Sequence, residues 1–95
     1  MLVLPKELTH SQATACLRML VQGLRAQSAP DVVVDASGLT RFDSAALAVL
    51  LEFGRESLAL GKRYSIRGLP QHLADLAHLY GIQELLPTTP AAPVK

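Results

Sequence analysis

The sequence predicts an α/β fold in which a small mixed, mostly parallel β-sheet is flanked by about three helices. Two observations support this prediction. Segments rich in β-branched residues alternate along the chain with segments whose apolar residues recur every three or four positions. The length of 95 residues also gives room for one domain with a core of limited size.

The first two elements are predicted near the N-terminus. The opening "LVLPKEL" favours a short edge strand, because Pro5 cannot donate a hydrogen bond to a sheet. Thr9 and Gln12 then have the spacing of a capping box, which marks the start of a helix. This helix is expected over about residues 11–27, with Cys16 on its buried, apolar face.

The middle of the chain predicts the centre of the sheet and a second helix. The run "DVVVD" (31–35) is typical of a central strand buried on both faces. A second helix is expected over about residues 44–60, where Gly61 can end it in the left-handed conformation.

Two further elements follow. "KRYSIRG" alternates polar and apolar residues, which predicts a strand with one solvent-facing side. A third helix should begin at Pro70 and end at Gly81, and "IQELL" is expected to form a short edge strand or a turn. The proline-rich segment 87–95 predicts a flexible C-terminal tail after a domain that spans 1–86.

The composition argues against several classes of protein. The net charge is +1 without a basic run, which excludes the electrostatic footprint of a nucleic-acid-binding protein. The longest apolar run, Ala45 to Leu51, is too short to insert across a membrane. The N-terminus lacks the features of a signal peptide, and the single cysteine cannot form an internal disulfide, so we expect a cytoplasmic protein.

Apolar residues occupy more than one face of the predicted second helix. A helical wheel assigns to the sheet side Leu47, Leu50, Leu51, Gly54 and Leu58. The opposite side then carries Ala45, Val49 and Phe53, which we interpret as an exposed patch that binds a partner. The alternative is that the first helix or the tail covers this patch.

Asp43 and Ser44 directly precede this helix. Either side chain could cap the free N–H groups of the first turn, and capping alone would explain the pair. Alternatively, the Ser44 hydroxyl is accessible to a partner or to a kinase, and a phosphate there would add about two negative charges beside the patch. The spacing leaves both interpretations open.

The other reactive residues form no catalytic or metal-binding pattern. His72, Asp75 and His78 have helical spacing, but His78 is rotated away from His72, so we expect a solvated face and no metal. The chain also contains no glycine-rich phosphate loop. We therefore expect a non-enzymatic protein without a cofactor; the alternative is a ligand sensor or enzyme with a pocket between helix ends.

The segment "VVVDASGLTRFDSAALAVLLEF" resembles the core signature of STAS domains, the sulfate-transporter and anti-sigma-factor-antagonist family. The resemblance extends over nearly the whole chain. Within the family, "LADLAHLYGIQELLP" is most similar to MlaB-type proteins, which are small STAS subunits of bacterial phospholipid ABC transporters.

This resemblance implies a cytoplasmic subunit, peripheral to the inner-membrane complex, that binds the transporter's ATPase and supports outer-membrane lipid asymmetry. Ser44 occupies the family's Ser/Thr position, and Asp43 the acidic position before it. Because this serine is phosphorylated in anti-sigma-factor antagonists, the alternative is an antagonist that binds a serine kinase or an anti-sigma factor. An apolar patch could also pair with a second copy of an isolated chain.

Overall fold

The computed structural model describes residues 2–89 and has the predicted α/β architecture. A four-stranded sheet has the order β1 (Leu2–Val3), β3 (Asp31–Asp35), β5 (Arg63–Arg67) and β6 (Thr88–Thr89). A separate pair is formed by β2 (Glu7–Leu8) and β4 (Arg41–Phe42). The α-helices in this part of the chain are α1 (Ala13–Ala26), α2 (Ala45–Ala59) and α3 (Gln71–Leu79).

Strand β3 is the central strand, as predicted. It pairs in parallel with β1 on one side and with β5 on the other, and every pairing between described strands is parallel. Val32 and Val34 are fully buried, whereas Val33 on the opposite face is half-buried. The β-branched run therefore marks the centre of the sheet, with complete burial on one face.

The helices end close to the predicted bounds. Gly61 and Gly81 both have a φ of 71°, so the left-handed glycines that follow α2 and α3 are confirmed. Before α1, the side-chain oxygen of Gln12 accepts hydrogen bonds from the Thr9 N–H at 2.8 Å and from the Thr9 hydroxyl at 2.6 Å. The capping box is therefore formed in one direction only, and α1 starts at Ala13.

The last strand corrects the predicted tail. Gln83–Leu85 form a short 3-10 helix, and Thr88–Thr89 then pair in parallel with β5. The prediction that the tail begins at residue 87 is wrong for these residues, because their backbone bonds to the otherwise open edge of β5. Residues 90–95, which complete the predicted tail, lie outside the described part of the chain.

The core lies where α2 meets both α1 and the sheet. Helix α2 packs against α1 along one side and against β5 along another. Its fully buried Phe53 contacts Tyr64 of β5 edge to face, with ring centroids 5.0 Å apart and an angle of 76°. Because α2 has neighbours on two sides, its buried surface is wider than packing on the sheet alone would require.

Candidate partner-binding site

Asp43 joins the start of α2 to the loop before α1. Its Oδ1 accepts a hydrogen bond from the Ala45 N–H at 2.8 Å, and its Oδ2 accepts one from the His10 N–H at 3.1 Å. A carboxylate at this position satisfies a free N–H group and lies at the favourable end of the helix dipole. Asp43 therefore provides the side-chain cap of α2 and also holds the neighbouring loop.

Ser44 follows Asp43 but does not share its role. The residue is exposed, and its hydroxyl makes no capping hydrogen bond. Its backbone carbonyl accepts hydrogen bonds from the Leu47 N–H at 3.1 Å and the Ala48 N–H at 3.4 Å. Of the two interpretations that the sequence leaves open, capping belongs to Asp43, and the Ser44 side chain is accessible to solvent.

Two residues of the predicted patch lie in the core. Val49 is 3% exposed and Phe53 is 0% exposed, so their predicted position on the exposed face is wrong. Ala45 is half-buried. The physical reason is that α1 packs against α2, which turns the buried arc by roughly a quarter of a turn from the sheet-facing arc of the helical wheel. The alternative that the first helix covers this side of α2 agrees with the structure.

The exposed face of α2 carries a different set of residues, which we call the α2 stripe: Ser44, Ala48, Leu51, Arg55 and Leu58. Successive members are three or four residues apart, so they follow one side of the helix. Leu58 is 75% exposed, and Leu51 is half-buried. The helical wheel had placed both leucines toward the sheet.

Most of the α2 stripe lines an open groove of about 820 Å³, through Ala48, Leu51, Arg55 and Leu58. Leu85 and Pro87, just before β6, also line this groove. The floor lies between Gly54 and Tyr64. A Cβ atom at Gly54 would lie 3.1 Å from the Tyr64 ring, so glycine is what lets the ring approach the helix this closely.

The tyrosine in this floor is held in place. Its hydroxyl donates a hydrogen bond to the Leu50 carbonyl at 3.3 Å. Burial raises the pKa of Tyr64, because the phenolate would lose its hydration. Tyr64 thus contributes a neutral, largely apolar surface to the groove.

Three basic residues border the groove: Arg55, Lys62 and Arg63. Arg63 forms an ion pair with Asp31 at 2.7 Å, and Arg55 forms a longer one with Glu52 at 3.4 Å. Both pairs lie in solvent, where they contribute little to stability.

Lys62 differs from the two arginines in its partners. Its Nζ donates hydrogen bonds to the backbone carbonyls of Gln27 and Ala29, each at 2.7 Å. None of the ion pairs found among residues 2–89 involves Lys62. The border of the groove therefore carries a positive charge that no carboxylate in this part of the chain neutralises.

His78 and Asp75 of α3 have local partners. His78 Nδ1 lies 2.7 Å from the side-chain oxygen of Gln83, and Asp75 accepts a hydrogen bond from Gln71 at 2.8 Å. Across the described residues, no three ligating side chains come together in a way that could hold a metal ion.

Cys16 is a core residue, as predicted. It is buried, and burial raises the pKa of its thiol. A thiol with a raised pKa stays protonated near neutral pH and is a poor nucleophile.

Within residues 2–89, no helix has both the length and the apolar character needed to span a membrane.

Comparison with known proteins identifies the family. Residues 1–87 match a family model described as "Mlab, STAS domain". An anti-sigma-factor antagonist (STAS) domain protein from Planctomyces limnophilus is similar in structure, with a TM-score of 0.73 and 12% identity over 90% of this chain and 77% of that chain. The anti-sigma factor antagonist SpoIIAA in its unphosphorylated form gives a TM-score of 0.70 and 15% identity over 93% and 76% of the two chains.

The two likenesses to solved structures, at these identities, show the fold alone. No protein of curated function matches the sequence significantly. The family match covers nearly the whole chain, and the chain therefore belongs to the STAS domain family described as "Mlab, STAS domain".

Proposed function

We propose that this chain is a non-enzymatic STAS subunit that binds the ATPase of a bacterial phospholipid ABC transporter and supports its assembly or activity. In this role it acts in the cytoplasm, peripheral to the inner-membrane complex. The family description supports this choice of partner. The observation that carries the proposal is the exposed Ser44 hydroxyl at the start of α2, left uncommitted because Asp43 supplies the cap.

This end of α2 has the properties of a preformed contact. Asp43 bonds both to the first turn of α2 and to the loop before α1, so little ordering of this region is required when a partner binds. Ala45 and Ala48 beside Ser44 have small side chains, which allow a partner to approach the helix closely. We place the contact at Asp43, Ser44, Ala45 and Ala48; the buried Val49 and Phe53 support it from beneath.

The test is binding of the purified full chain to the purified ATPase subunit encoded with it, measured by calorimetry. Ser44→Arg is expected to weaken binding by about 30-fold or more, because a long charged side chain would stand in the centre of the contact. The matched control is Ser28→Arg, which changes an exposed serine that lies outside α2, between α1 and β3. Equal affinities for Ser44→Arg and the unmodified chain would contradict the proposal.

A second candidate function is that of an anti-sigma-factor antagonist switched by phosphorylation of Ser44. The same accessible hydroxyl favours it, together with the structural likeness to SpoIIAA. A phosphate would place about two negative charges next to Asp43 and would repel an acidic partner surface. Incubation with the cognate serine kinase and ATP is expected to add one phosphate, which Ser44→Ala prevents. An unchanged intact mass would exclude this candidate.

A further inference from the structure

We propose that the partner binds through an acidic amphipathic helix that lies along the α2 stripe, in the groove that most of the stripe lines. This inference rests on the proposed function for the identity of the partner. It extends the interface from Ser44 along the rest of α2 and assigns a chemistry to the segment of the partner that binds there.

The length of the surface fits a helix. Leu58 lies 14 residues after Ser44 on the same side of α2, which corresponds to about 21 Å along the helix axis. A partner helix of about four turns would cover this distance. Its apolar residues, spaced three and four apart, would meet the matching spacing of the α2 stripe.

The walls of the groove favour a protein segment over a small ligand. Leu58 and Leu85 both line the groove and are 75% and 62% exposed. Sites for small molecules usually enclose most of the ligand, whereas these walls stand largely in solvent. A helix that lies between the two leucines would bury both of them, together with the Tyr64 surface below.

The charges at the border define the partner's polar face. Arg55 and Arg63 share their charge with nearby carboxylates, but Lys62 has hydrogen bonds to backbone carbonyls only. The border is therefore net positive. At the other end of the α2 stripe, both carboxylate oxygens of Asp43 are already engaged. Acidic residues of the partner helix are accordingly expected opposite the C-terminal half of α2.

The first test compares two leucines with equal exposure. Leu58 and Leu79 are both 75% exposed near the ends of helices, but only Leu58 borders the groove. In the calorimetric assay with the ATPase, Leu58→Asp is expected to weaken binding by about 30-fold, and Leu79→Asp by less than about threefold. Melting temperatures of both variants should match that of the unmodified chain.

The outcomes separate the two proposals. If Ser44→Arg weakens binding and Leu58→Asp does not, the groove is outside the interface and only this inference falls. If the unmodified chain does not bind the ATPase, the proposed function is wrong, and this inference, which rests on it, is wrong as well.

The second test identifies the chemistry of the bound segment. A photo-cross-linking amino acid in place of Leu58 should capture one ATPase peptide with apolar residues at helical spacing and a net negative charge. A synthetic copy of that peptide should bind the full chain about tenfold more weakly when Arg55 is changed to Glu. Capture of a basic or non-helical segment would overturn the proposal.

Discussion

The two long faces of α2 carry similar apolar side chains but differ in how they are covered. Leu50 and Phe53 on one face are fully enclosed by neighbouring parts of the chain. On the other face, Leu58 is largely exposed and Leu51 is half-buried. The first face is therefore complete in the isolated chain, whereas the second lacks a comparable cover from residues 2–89.

This difference shows that hydrophobicity alone does not identify the buried side of α2. Ser57 is polar but fully buried. Its burial is tolerated because its hydroxyl donates a hydrogen bond to the Phe53 carbonyl at 2.9 Å. The exposed side instead combines leucines with the small residue Ala48. The burial of each residue on α2 therefore depends on its neighbours in the fold and not on its polarity alone.

The largest loss of stability is expected when a side chain on the buried face of α2 is removed. Phe53→Ala should lower the free energy of unfolding by about 3–5 kcal/mol, because it removes a fully enclosed ring and its contact with Tyr64. Urea denaturation measures this change. The control on the other face, Leu58→Ala, should cost less than about 0.5 kcal/mol. Similar costs for the two variants would mean that the faces do not differ in this way.

The next effect concerns the cap that holds the start of α2. Asp43→Ala should lower the free energy of unfolding by about 1–2 kcal/mol, because the N–H groups of Ala45 and His10 both lose their acceptor. Denaturation measures the loss, and amide exchange at His10 should quicken. Asp43→Asn retains an acceptor oxygen and should recover part of the stability. An Asp43→Ala variant as stable as the unmodified chain would show that the Asp43 side chain does not stabilise the start of α2.

A smaller effect should appear at alkaline pH on the groove side of α2. Burial raises the pKa of Tyr64 above the ordinary value of 10.0, so the folded chain keeps a proton that the unfolded chain loses. Stability from this group is complete below about pH 10 and declines as pH rises beyond it, by at most about 1.4 kcal/mol per pH unit. Tyr64→Phe should flatten this decline. An unchanged slope in this variant would contradict the partly buried position of Tyr64.

Local patterns predicted most of the fold. The β-branched run of β3, the apolar periodicity of α1 and the glycines after α2 and α3 depend on nearby residues and on backbone conformation, which the sequence displays directly. Strand β6 could not be predicted in the same way. Thr88–Thr89 are in the sheet because the edge of β5 is available to them, and that pairing is a property of the folded chain.

The exposed face of α2 was predicted at its start and missed along the rest of the helix. Asp43 and Ser44 were singled out correctly as residues at the start of the helix, but both can cap, and only their geometry assigns the cap to Asp43. Farther along, apolar residues occupy more than one face of α2, so its periodicity fits more than one orientation. Packing of α1 against α2 decides between them, and this contact joins residues far apart in the sequence.

The smallest expected effect on stability is that of removing the Ser44 hydroxyl. Replacing a capping serine by alanine usually costs about 0.5–2 kcal/mol. Because Asp43 supplies the cap here, Ser44→Ala should cost less than about 0.5 kcal/mol in the denaturation experiment that measures Asp43→Ala. A cost near that of Asp43→Ala would show that the hydroxyl caps the helix in solution. In that case the Ser44 hydroxyl would be engaged in capping α2, and the side chains available to a partner would begin at Ala48.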